Sequence, residues 1–143
     1  MNKYLRLIAL SLILVMAVAL LASCGKDGNK EADPVPNKDP DEAEEALEDE
    51  DYTVRRSTSS FGYSGLEDAI IAKKTLYYED TDDEITEEIV ILYFDTKDDA
   101  KNAYSDFKDL VQSLNEGRKT KLKYGREGKL LWYGTKKAIK AAQ

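Results

Sequence analysis

Six consecutive apolar residues, Ile89-Val90-Ile91-Leu92-Tyr93-Phe94, constrain this chain more than any other stretch. Successive side chains of a strand point to opposite faces, so an unbroken apolar run needs cover on both for much of its length. In a chain of 143 residues, 34% of them charged, such a run marks the centre of a core. It predicts a central strand over Ile85 to Phe94. Thr96-Lys97-Asp98-Asp99 follows, with a threonine N-cap and acids in the first turn, where they favour the helix dipole. Ala100, Ala103, Tyr104, Phe107, Leu110, Val111 and Leu114 then recur in steps of three and four as one apolar stripe. Gly117 supplies the stop.

The neighbouring segments are shorter. Tyr52 to Tyr63 reads as loop with an edge strand at Tyr52 to Arg55. Ser64-Gly65-Leu66-Glu67 has the form of a capping box and predicts a helix from Gly65 to about Lys73. A strand running through Ala69 to Glu79 is the alternative, and the sequence leaves both open. Thr75 to Tyr78 is β-branched and aromatic, as strands prefer, and Asp80 to Asp83 is a turn. Lys119 to Tyr124 alternates, with Thr120, Leu122 and Tyr124 predicted inward and Lys119, Lys121 and Lys123 outward. Gly125-Arg126-Glu127-Gly128 reads as a hairpin turn and Leu130 to Tyr133 as the return strand. Thr135 caps a last helix, Lys136 to Ala142. The fold class is α+β: a two-layer sandwich with a mostly antiparallel sheet of about four strands and one main amphipathic helix across it. In architecture this resembles small ferredoxin-like and cystatin-like extracytoplasmic domains, a likeness that carries no function.

The N-terminus is of another kind. Asn2 to Arg6 carries two positive charges, and Leu7 to Leu21 is apolar apart from Ser11. Small residues Ala22 and Ser23 lead to Cys24, the one cysteine of the chain. A charged start, an apolar centre and a small-residue exit are the pattern of a secretory signal. The apolar run falls short of the roughly 20 residues a membrane span needs. Leu21-Ala22-Ser23-Cys24 resembles the lipobox of bacterial lipoproteins. The resemblance implies residues 1–23 as signal peptide, cleavage between Ser23 and Cys24, and a diacylglyceryl group on the Cys24 thiol. It further implies a membrane-anchored chain on the extracytoplasmic face. Two acyl chains hold stably where one binds marginally, since each buried CH₂ contributes about 0.8 kcal/mol.

Residues 24–51 are expected to form the lipidated cysteine and an acidic, disordered tether. Gly25 to Asp51 holds 12 Asp and Glu against 3 Lys, and its large apolar residues are Val35 and Leu47. Such a segment buries too little apolar surface to offset the entropy of ordering. Transient helix over Glu42 to Glu50 is opposed by like charges four residues apart. The folded domain is thus expected over 52–143.

Little in the chain points to catalysis. It has no histidine, which removes the usual general base and the commonest zinc ligand. With Cys24 acylated no thiol nucleophile is left and no disulfide can form. Asp80 to Glu84 lacks the glycine and the later glutamate of a calcium loop. No metal and no cofactor is predicted. The expected role is a non-catalytic binding module at the cell envelope; the alternative is a small envelope hydrolase or inhibitor-like accessory using carboxylates. Residues 117–143 hold 9 basic groups and 1 acidic, whereas 79–116 hold 13 acidic and 3 basic. Arg118, Lys119, Lys121, Lys123 and Arg126 are therefore the candidate contact to an envelope protein or anionic polymer. Nucleic acid is excluded as a partner by the exported location.

Overall fold

The structure, a computed structural model, describes residues 33–77 and 84–143. The signal segment, Cys24 and the Asp80–Asp83 turn lie outside the described residues. Pro34–Gln143 forms one compact unit.

The chain folds as α1 (Pro40–Asp49), β1 (Thr53–Ser57), β2 (Leu66–Tyr77), β3 (Glu84–Phe94), α2 (Lys97–Leu114), β4 (Lys123–Glu127), β5 (Leu130–Gly134) and α3 (Lys136–Ala141). The five strands make one antiparallel sheet in the order β1-β2-β3-β5-β4. The α+β class, the antiparallel sheet and the long helix across it are as the sequence predicts.

The run Ile89–Phe94 alternates between two cores. Ile89, Ile91 and Tyr93 join Ile70, Ala72, Leu130 and Trp132 on one face, beneath Ala43 and Leu47 of α1 and Ala138 and Ile139 of α3. Leu92 and Phe94 join Ala69 and Leu131 on the other, against Ala100, Ala103, Phe107 and Val111 of α2. The sheet therefore carries a helix on one face and two on the opposite face.

Four expectations change. The tether does not extend to Asp51, because the compact unit includes Pro34 to Asp51. Asp39 caps α1, accepting from the Asp41 amide at 2.9 Å and the Glu42 amide at 3.3 Å, and Pro40 starts it. Ala43 and Leu47, four residues apart, are fully buried. Arg56 offsets the repulsion among the acids: its guanidinium reaches Asp41, Glu44 (3.1 Å) and Asp68 (2.6 and 2.8 Å). The second oxygen of Asp68 is buried and has no hydrogen-bond partner among the described residues, which leaves Arg56 as the partner of that carboxylate.

Second, of the two readings left open before Lys73 the strand holds and the helix does not: β2 begins at Leu66. Gly65 takes φ +71°, which no helix residue adopts, and Leu66–Tyr77 pairs with Glu84–Phe94 along its length. Third, Lys119–Leu122 is not strand. The Asn115 side chain accepts from the Leu122 amide at 2.7 Å and donates to its carbonyl at 3.0 Å, taking both groups a sheet partner would need. Thr120, predicted inward, is exposed. Fourth, the hairpin turn is Gly128-Lys129 rather than Gly125–Gly128. Gly128 supplies φ +57°, and Gly125 sits inside β4, where a Cβ would meet the Trp132 ring at 2.5 Å.

Because α1 is core, Leu47→Ala should lower unfolding free energy by about 2–5 kcal/mol in urea denaturation. A loss under about 1 kcal/mol would return α1 to the surface.

Candidate interaction surface

The two sheet faces are covered unequally. On the α1/α3 face, α1 rests on β1 and β2 and α3 on β3 and β5. On the other face α2 packs mainly on β3, β4 and β5. The β1–β2 side there is left with an apolar groove of about 220 Å³, lined by Phe61, Tyr63, Ile71, Val90, Leu110 and Tyr133 among others. Leu110, placed in the buried stripe by its spacing, is 46% exposed, and Leu114 one turn on is 38% exposed.

The third wall is the loop before β2. The Tyr63 amide donates to the Ser60 carbonyl at 2.8 Å, closing a four-residue turn whose central residues, Phe61 and Gly62, have φ +46° and +85°. Positive φ at both positions is natural for Asn-Gly but costs a bulky residue about 1–3 kcal/mol. Phe61 accepts that strain while leaving its ring 51% exposed. Tyr63 is fixed edge-on to Phe94 at 6.2 Å. Burial pushes the Tyr63 and Tyr133 phenols above the ordinary tyrosine range, so both line the groove as neutral groups.

The predicted basic contact is not assembled as one line. Arg118 pairs with Glu88 at 3.2 Å, and Lys121 donates to the Asn115 carbonyl at 2.7 Å. Lys119 and Lys123 are exposed. Arg126 lies over the Tyr104 ring at 5.8 Å, on the α2 face, whereas Lys123 shares the opposite face with Gly125 and Trp132. Alternation along β4 separates these two cations, and the irregular 119–122 segment removes the row that an extended strand would have made.

On the α1/α3 face a polar cleft of about 430 Å³ is lined by Glu50, Tyr52, Lys74, Leu76, Glu87, Lys137, Lys140 and Ala141. Glu87 is its buried floor. One oxygen accepts from the Tyr52 hydroxyl at 2.7 Å and the other meets Lys137 Nζ at 3.3 Å. Lys74 donates to the Glu50 carbonyl at 2.7 Å and stands 5.6 Å from the Tyr52 ring centre. With both oxygens engaged, Glu87 closes this corner of the fold rather than offering a free carboxylate to a substrate. Among the described residues no group of three or more acids could hold a metal ion. No described helix is long and apolar enough to cross a membrane.

Comparison with protein-family models, curated proteins and solved structures finds no match. The reading of this surface therefore rests on its own geometry.

Burial, then the bond to Glu87, pushes the Tyr52 phenol well above its ordinary value. An unfolded phenol titrates near pH 10, so the stability held here is complete below about pH 10 and is lost as pH rises beyond it. Urea midpoints measured across that range should fall more steeply for the native chain than for Tyr52→Phe. Parallel curves would remove Tyr52 from the linkage.

Proposed function

We propose that this chain is a bacterial lipoprotein, anchored through diacylglyceryl-Cys24 on the extracytoplasmic face. Its Pro34–Gln143 unit is a non-catalytic interaction module. The localisation rests on Leu21-Ala22-Ser23-Cys24 and the charged and apolar segments before it. The carrying observation for the module is the apolar groove beside α2, with Phe61 and Leu110 standing out from its walls. Scattered exposed apolar residues are ordinary, but a contiguous set around a groove marks a contact surface. An absent histidine and a committed thiol favour contact over chemistry.

This reading moves the envelope contact from the basic segment Arg118–Arg126 to the groove. It also shortens the spacer between anchor and folded unit to residues 25–33. That spacer holds three acids and two lysines, so most of the acidic segment belongs to the folded unit.

Two measurements test the reading. Cys24→Ser should abolish fatty-acid labelling and leave the chain unprocessed or released from the membrane fraction. Retained label on the variant rules out the lipobox assignment. A photo-crosslinking residue in place of Leu110 should give a defined adduct in the intact envelope, and the same residue at exposed Lys108 should not. Equal adducts, or none at either position, remove the groove as the contact.

A further inference from the structure

We infer that the occupant of the groove is a second copy of this chain, joined face to face across a two-fold axis. The inference rests on the groove being the contact surface, and it names the partner.

The charges on the groove walls carry the argument. Arg55 is the β1 partner of Ile71, and Lys73 lies two residues along β2, so both side chains share the groove's face. Both are exposed, and neither forms an ion pair among the described residues; Glu88, the β3 partner of Lys73 on the same face, is already matched by Arg118 at 3.2 Å. The opposite wall is α2. There Asp106 stands one turn before Leu110, at the edge where Tyr63 divides the groove from a polar pocket that both residues line, and it too has no ion-pair partner among the described residues. An apolar groove thus has a cationic rim on the strand side and an anionic rim on the helix side.

A uniformly charged partner would meet attraction on one rim and repulsion on the other. A second copy related by two-fold symmetry presents the inverse order. With the two-fold axis running along the groove, the strand rim of each copy meets the helix rim of its mate. Phe61 and Leu110 are the protruding groups, and each groove receives those of the other copy. Aromatic and aliphatic knobs in a shared apolar centre, ringed by complementary charge, are the composition of a protein interface. Anchoring both copies in one membrane would raise their effective concentration, so a weak dimer suffices.

The test uses the soluble chain from Gly25 onward, whose folded unit has its own core. Sedimentation equilibrium from about 1 to 300 μM, the range of weak specific association, should show a monomer–dimer equilibrium. Leu110→Asp should weaken it at least tenfold. Arg55→Asp should weaken it as well, and adding Asp106→Arg to that variant should restore it, since the reversed pair again matches across the axis. Leu110 and Arg55 are already exposed, and an unchanged melting temperature in each variant confirms that the fold is intact. A chain monomeric throughout, or a dimer indifferent to Leu110→Asp, overturns the inference. So does a double variant no tighter than Arg55→Asp alone. A monomeric chain that still gives a Leu110 adduct in the envelope would refute the second copy and leave the contact surface standing.

Discussion

The burial of β3 from both sides is the constraint on which the rest depends. Ile89 and Ile91 are fully buried on one face, and Leu92 and Phe94 are 4% and 2% exposed on the other. Neither core suffices alone, because a strand apolar on both faces is stable only when both are covered. α2 supplies one cover, and α3 supplies part of the other through Ala138 and Ile139. What remains open on that face, over β1 and β2, requires a further element, and α1 fills it with Ala43 and Leu47. The acidic segment is thus recruited by the face of β1 and β2, the strands that follow it in the chain.

This explains which parts of the fold were legible in the sequence. The central strand and α2 announce themselves by long patterns, a six-residue apolar run and a seven-position stripe. Thr96 accepts from the Asp99 amide at 3.0 Å and Thr135 from the Ala138 amide at 3.4 Å, as their types predict. α1 was hidden because only two of its residues, Ala43 and Leu47, are buried and its charge is all of one sign. It is held by the burial of Ala43 and Leu47, and its acid repulsion is answered by Arg56, which lies outside the segment and whose position is set by pairing with Ile70. A local reading weighs the repulsion within the helix and cannot see the cation that answers it. Between helix and strand over Gly65–Lys73 the sequence could not decide for a related reason: the capping-box pattern is local, and the eleven paired positions with β3 that outweigh it are not.

The candidate surface was the least legible part. Leu110 and Leu114 fall in the apolar stripe by spacing, yet the sheet beneath them offers α2 a seat only on the β3–β5–β4 side. Spacing states which residues share a helix face, not how much sheet that face will find. Phe61 had no periodic signal at all; its prominence comes from a turn that a phenylalanine rarely enters. The strand predicted from Lys119 begins only at Lys123 because Asn115 takes both backbone groups of Leu122, a bond pattern that residue types do not display. The residues that close the fold are thus long-range or locally unusual, and so are those that open its groove.

The most direct measurement of this account is a backbone hydrogen-exchange map of the soluble chain. The account predicts that the Ala43–Leu47 amides exchange as slowly as those of Ile89–Leu92, because both belong to one core and open only with it. Exchange across Ala43–Leu47 at the rate of an unprotected peptide, with β3 still protected, would contradict it. The acidic segment would then be a tether after all, and the α1/α3 face would be open where the structure closes it.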